Sequence, residues 1–195
     1  ILILSVLFTL TTSAFAGGMI GVKYGKGDLE GNAKAYGQYN AQSASKDSDF
    51  GAIFAEINIM ESPISVGVEY VPFDADISLD GKNANVHANV RDLTTIYALA
   101  MHELTNVSVY AKLGYSMADI GAVNVNDAAT TLNGQSDSLD GVMVGFGVQS
   151  QELPFGLVAR GEFTYTEFDE VSVKTTSNGT NSATKTADGE LTTLT

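Results

Sequence analysis

Six ionisable residues, Lys23, Glu56, Glu69, Lys112, Arg160 and Glu162, fall where a β-strand would point them away from its apolar face. Self-neutralisation is expected if a narrow interior gathers the six, because an orphaned buried charge costs several kcal/mol. A hairpin centred on Ser62 sets Glu56 roughly opposite Glu69, where like charges repel unless cations answer them. Equal counting from the other short turns brings Lys112 and Arg160 to a similar height, with Glu162 just above and Lys23 inward on the first strand. The expectation is a charge cluster across the middle of a lumen.

Other chemistry is sparse. Acyl transfer needs a base beside a nucleophile. His87 lies in a long polar segment, and His102 at a short-turn end reads as an inward rim residue; no serine accompanies either in a recognisable constellation. No catalytic residue, cofactor or enzyme activity is expected. Asp74, Asp76, Asp80, Asp119, Asp127, Asp137 and Asp140 are hard oxygen ligands in principle, but they lack the spacing of a calcium loop. Asp is also an ordinary turn residue, so no metal site is expected. Asn178-Gly179-Thr180 matches a glycosylation sequon and reads as a flexible loop.

The elements that must position these residues show period-2 alternation. Ile20, Val22 and Tyr24 oppose Gly21, Lys23 and Gly25. Ile53, Ala55, Ile57 and Ile59 oppose Ala52, Phe54, Glu56 and Asn58, and Ile64, Val66, Val68 and Tyr70 oppose Ser65, Gly67 and Glu69. A fourth strand from about Leu93 to His102 puts Tyr97, Leu99 and Met101 on its apolar side. Val107, Val109, Ala111, Leu113 and Tyr115 oppose a mostly polar row containing Tyr110 and Lys112. Val142, Val144, Phe146 and Val148 oppose a glycine-rich row, and Leu157, Ala159, Gly161, Phe163 and Tyr165 oppose Val158, Arg160, Glu162 and Thr164. Leu191 to Thr195 reads as the opening of an eighth strand, truncated in this chain.

Long polar connections (roughly 28–49, 74–92, 117–140 and 169–190) alternate with short turns at 61–63, 103–106 and 150–154. One rim therefore carries the long connections and the other the short turns. The expected fold is all-β: an eight-stranded, antiparallel, up-and-down transmembrane β-barrel.

Composition narrows the setting. With 10 basic and 23 acidic residues, net charge −13, nucleic acid is not an expected partner. The absence of cysteine excludes disulfides and thiolate metal sites. Ile1 to Leu10 is almost wholly apolar, and Ser13-Ala14-Phe15-Ala16 offers the small residues a signal peptidase reads; the alternative is a buried apolar strand. Residues 1–16 are read as a signal peptide and 17–195 as one barrel domain.

Alternation alone fits a soluble, lipocalin-like barrel as well as a membrane one. Gly, Ser and Ala crowd the polar rows, as a tight eight-stranded interior requires. Tyr24, Tyr70, Tyr115 and Tyr165 stand on apolar rows near the long-loop ends of their strands, where an aromatic girdle would lie at a membrane interface. Signal, glycine-rich inward rows, mid-lumen charges and loop asymmetry together resemble the small bacterial outer-membrane barrels of the OmpA transmembrane domain, OmpX and opacity-porin type. The resemblance implies a polar, largely plugged interior and a non-enzymatic scaffold in a Gram-negative outer membrane. Its implied partners are outer-membrane lipid, lipopolysaccharide and the barrel assembly machinery; the ligand of the surface loops is unknown. A narrow porin-like channel is the alternative, and a soluble ligand-binding barrel the second.

Overall fold

The computed structural model describes residues 9–15, 17–33, 42–60, 62–80, 84–120, 124–127, 130–133, 138–177 and 181–195, with only the backbone described over 9–15, 32–44, 73–89, 120–133 and 171–187. Asp137, Asn178-Gly179-Thr180 and most of the leader lie outside the described residues. So do the side chains of Asp74, Asp76, Asp80, His87 and Asp127.

The strands are β1 (Thr9–Phe15), β2 (Gly18–Ala33), β3 (Gln42–Asn58), β4 (Ile64–Asp80), β5 (Ala84–Glu103), β6 (Val107–Ile120), β7 (Asn124–Asp127), β8 (Thr130–Asn133), β9 (Ser138–Ser150), β10 (Leu157–Ser177) and β11 (Asn181–Leu194). Eight of them form a closed antiparallel ring in the order β2-β3-β4-β5-β6-β9-β10-β11, with β11 returning to pair with β2. Every strand joins its sequence neighbour in the ring, so the barrel is of the up-and-down kind. Within the ring of eight, closure leaves no sheet edge. Below Leu194, the seat between β2 and β10 is completed by β1, which pairs Leu10 with both Val22 and Ala159.

Much of what reads as loop is strand. β2 and β3 stay paired to Ala33↔Gln42, β4 and β5 to Asp80↔Asn85, and β10 and β11 to Ser177↔Asn181. The eighth strand likewise begins at Asn181, well before Leu191. The backbones of these segments pair as hairpins that extend the strands of the ring. Register shifts at Val71/Asp74, Arg91/Thr94 and Phe168/Val171 mark the departures. At the first, Pro72 has no N–H to give the ladder, and Pro in strands is confined to such bulges and to edges. A short β7–β8 hairpin docks β7 onto the extension of β5.

Side-chain alternation sorts the wall into two surfaces. Ile20, Val22, Ile53, Ile57, Ile96, Val144 and Val148 all point outward and stay exposed, with Leu113 at 60% and Phe146 at 64%. The inward rows are buried or half-buried apart from Asn58 at the short-turn end. Strand β5 corrects the expected phase: Tyr97 and Leu99 are buried in the lumen, while Ile96, Ala98 and Ala100 face outward. Both rows of this strand are apolar, so hydrophobicity does not choose between them. Interior hydrogen bonding does, and His102 is consequently exposed on the outer face opposite Val109 rather than inward.

Candidate functional site

The six charged residues named above meet inside the ring. Lys23, Glu69, Lys112 and Glu162, carried by β2, β4, β6 and β10, form a closed cycle of alternating charge. Lys23 Nζ donates to Glu69 Oε2 at 2.5 Å and to Glu162 Oε1 at 2.6 Å; Lys112 Nζ donates to the same two oxygens at 2.8 Å and 3.2 Å. Each ammonium thus touches two carboxylates, and each carboxylate two ammoniums. Such a square gains attraction on every edge and repulsion only across the diagonals.

Glu56 and Arg160 form the second unit. The guanidinium donates from both terminal nitrogens to both Glu56 oxygens, at 2.7 Å and 2.8 Å, and from Nε to Gln149 Oε1 at 2.6 Å. This bidentate geometry is the strongest arrangement for the pair. Tyr97 adds a hydroxyl donor to Glu56 at 2.7 Å, and Tyr110 donates to Glu162 at 2.9 Å. The aromatic faces serve too: Lys112 Nζ stands 3.8 Å from the Tyr97 ring centre, and the Arg160 guanidinium 5.3 Å from that of Tyr110. Three cations and three anions are therefore paired and hydrogen-bonded together, all buried except Glu69, which is half-buried.

Two expectations about this cluster are corrected. Glu56 is not opposite Glu69; it lies across from Gly67, and Glu69 lies across from Phe54. The turn closes with Ile59 N–H donating to Ile64 O at 2.9 Å, and the pairing centres the hairpin between residues 61 and 62, which slides the partner strand by one residue. The two carboxylates consequently enter different ion units instead of repelling. The tyrosines that complete the network, Tyr97 and Tyr110, were not among the expected cluster residues. Tyr110 could have been found: its row holds Lys112 and Ser108, so its hydroxyl had to face the interior.

Beyond the charges, toward the long hairpins, the lumen changes character. A polar tier comes first, in which Thr95 and Ser116 share a 2.8 Å hydrogen bond and Thr164 meets Thr193 at 2.5 Å. Above it lies an apolar layer to which every strand of the ring contributes: Leu29, Ala52 with Phe50, Val71, Leu93 with Val90, Ala118, Leu139, Phe168 and Leu191. Between the layers is a cavity of about 40 Å³, bordered by Glu69 and Lys112 below and by Leu29, Leu93 and Leu191 above. A space of that order holds water, not an organic ligand. The chain is a closed barrel, turned inside out.

The four tyrosines of the expected girdle all point outward. Tyr24, Tyr70 and Tyr115 are exposed and Tyr165 is half-buried. Tyr70 anchors its tip by donating to Asp92 Oδ1 at 2.6 Å. Past this level the outer face turns acidic: Glu30, Glu190 and Glu167 stand directly opposite one another on β2, β11 and β10. Of the carboxylates considered as metal ligands, Asp119 is exposed and Asp140 half-buried at the rim. Among the described residues, no three His, Asp or Glu side chains are grouped to hold a metal ion.

No family model and no curated protein matches the chain. Among solved structures it is similar to Neisserial surface protein A, at 14% identity over 88% of this chain and 95% of that one, with a TM-score of 0.44. Ail, the attachment invasion locus protein of Yersinia pestis, is similar at 11% identity over 97% and 98%, with a TM-score of 0.44. The N-terminal β-barrel domain of Pseudomonas aeruginosa OprF is similar at 10% identity over 87% and 98%, with a TM-score of 0.31.

Proposed function

We propose that this chain is a non-enzymatic barrel of a Gram-negative outer membrane, a sealed anchor that holds acidic, polar hairpins at the cell surface. One observation carries the reading: the large aliphatic side chains cover the outside, while Lys23, Lys112, Arg160, Glu56 and Glu162 are buried inside with Glu69 half-buried beside them. In water this partition would expose apolar surface far beyond what a soluble monomer shows. In lipid it is the partition a spanning barrel requires.

The sealed lumen favours an anchor over a channel. An ion entering from the long-hairpin side meets the apolar layer first and then a net-neutral, fully paired network. The arrangement also speaks against a lipocalin-like barrel, whose apolar rows would surround a ligand. The surroundings this reading requires are outer-membrane lipid and lipopolysaccharide around the wall, and the assembly machinery during insertion. The hairpins would serve adhesion, surface interaction or envelope integrity.

Residues 1–16 act as the export signal in this reading. Their removal requires another strand to satisfy the backbone of Ile20–Val22 and Leu157–Arg160, which β1 satisfies here. The mass of the protein recovered from outer membranes tests this point; the expected first residue is Gly17. The function itself is tested by fractionation and planar-bilayer recording of the exported protein. Sedimentation with the outer membrane and a flat current trace are expected. Recovery in the aqueous periplasmic fraction would overturn the membrane assignment, and a stable open level would overturn the seal.

A further inference from the structure

The short-turn end of the barrel presents large apolar residues where a barrel emerging into water would present polar ones. Met60 at the β3–β4 turn is 90% exposed and Phe155 at the β9–β10 turn 96%. Ile59, Leu104 and Leu153 are exposed beside them, so each of the three short turns contributes. Met60 and Phe155 are almost bare, so folding gains little from their side chains.

Backbone geometry sharpens the point. Among the described residues only three non-glycines have positive φ, and two are these tips: Phe155 at 69° and Met60 at 21°. Left-handed backbone suits Gly or Asn at a turn, and bulky residues there are strained. A strained, bare phenylalanine persists where something outside the chain rewards it.

The dimensions indicate what that is. The outward apolar row of β6 runs from Val107 to Tyr115, and that of β4 from Ile64 to Tyr70. At the usual rise and tilt these rows reach about 20 Å and about 15 Å along the membrane normal. The apolar band of a membrane barrel is about 25 Å tall. The wall between tyrosines and turns is thus too short by several ångströms. The deficit is assigned to the short-turn end, because beyond the tyrosines the outer face turns acidic, with Glu30, Glu190 and Glu167 on β2, β11 and β10 and Asp119 on β6. Ile57, Ile59 and Met60 are successively exposed from the wall to the turn tip, making the turn an extension of the outward apolar row.

Building on the membrane reading above, we infer that the three short turns are sunk in the phospholipid leaflet at their end of the barrel, with Met60 and Phe155 as insertion tips in its interfacial layer. The glutamates beside the tips, Glu103 and Glu152, are exposed and remain at head-group level. Their charge makes zwitterionic phospholipid the fitting neighbour and sets an anionic surface against the rim.

The chain contains no tryptophan, so single replacements give clean fluorescent reporters. The full chain, carrying Phe155→Trp, Met60→Trp or, at mid-wall, Phe146→Trp, would be refolded into phosphatidylcholine vesicles with lipids brominated at graded depths. The inference expects all three reporters to be blue-shifted relative to indole in water and quenched by bromolipid, the two turn reporters most strongly by the shallowest bromines. If Phe146→Trp is quenched by bromolipid while Phe155→Trp and Met60→Trp answer only to aqueous acrylamide, the inference fails and the membrane barrel stands. If Phe146→Trp itself escapes bromolipid, the membrane reading fails and takes the inference with it.

Discussion

At the scale of single residues, burial decides which ion pairs matter. Lys26 and Asp49 are 3.0 Å apart on the outer face with both side chains more than half exposed, and such a pair contributes at most about 1 kcal/mol. Glu56 and Arg160 are at comparable distance but almost wholly buried, so losing one partner strands the other charge. Glu56→Ala is therefore expected to destabilise the barrel by about 3–5 kcal/mol, measured by urea unfolding in detergent micelles. Lys26→Ala should cost under about 1 kcal/mol in the same assay. Replacing both buried partners, Glu56→Leu with Arg160→Met, should recover most of the loss, since apolar side chains fill the space without an orphan charge. Equal effects of Glu56→Ala and Lys26→Ala would mean that water reaches the lumen charges. The inward direction of all six was legible because each sits out of phase with valines, isoleucines or leucines on its own strand. Who pairs with whom was not, since that depends on a hairpin offset of one residue and on barrel closure, neither written in local alternation.

At the scale of elements, glycine positions set how closely strands and interior rings approach. A Cβ placed on Gly67 would lie 2.6 Å from the Tyr97 ring and 2.8 Å from the Ala55 carbonyl oxygen. Gly67→Ala must displace one of them and is expected to cost about 1–3 kcal/mol. Gly31→Ala, on the β2 hairpin extension, meets nothing within 4 Å and should stay within about 0.5 kcal/mol of the parent. Thermal unfolding of the two variants in parallel checks the pair, and a silent Gly67→Ala would show that the Tyr97 ring is not seated against β4. Strand β5 shows why period alone falls short. With Ile96, Ala98 and Ala100 on one face and Tyr97, Leu99 and Met101 on the other, either phase satisfies a hydrophobic count. The inward choice seals the lower lumen with Leu99 and brings the Tyr97 hydroxyl to Glu56. The projecting hairpins escaped notice for a related reason. Their backbones pair as strands, but their polar sequences carry no apolar alternation to show it.

At the scale of the molecule, the barrel is layered inside and banded outside. The lumen runs from a charged floor through a hydroxyl tier to an apolar lid, and the outer wall runs from greasy turns through aliphatic rows to tyrosines and then carboxylates. The apolar lid was not anticipated: its members come one or two per strand, several from segments read as loop, and only closure gathers them. The outer banding makes a prediction that reverses with the solvent. Leu113→Arg on the mid-wall should destabilise the barrel by about 2–4 kcal/mol in a bilayer, whereas on a water-facing wall it would be close to neutral. Vesicle-based unfolding titrations distinguish the two.

The wall assignment is tested most directly by spin labels along β6, introduced as single cysteines into a chain that has none. Labels would replace Val109, Ala111, Leu113 and Tyr115, with Asp119 beyond the tyrosine level, in the full chain refolded into lipid vesicles. Relaxation by oxygen, which concentrates in the bilayer, should dominate at Val109, Ala111 and Leu113, and a water-soluble nickel chelate should take over between Tyr115 and Asp119. Nickel access at Val109, Ala111 and Leu113 equal to that at Asp119 would contradict the account, because those side chains would then face water.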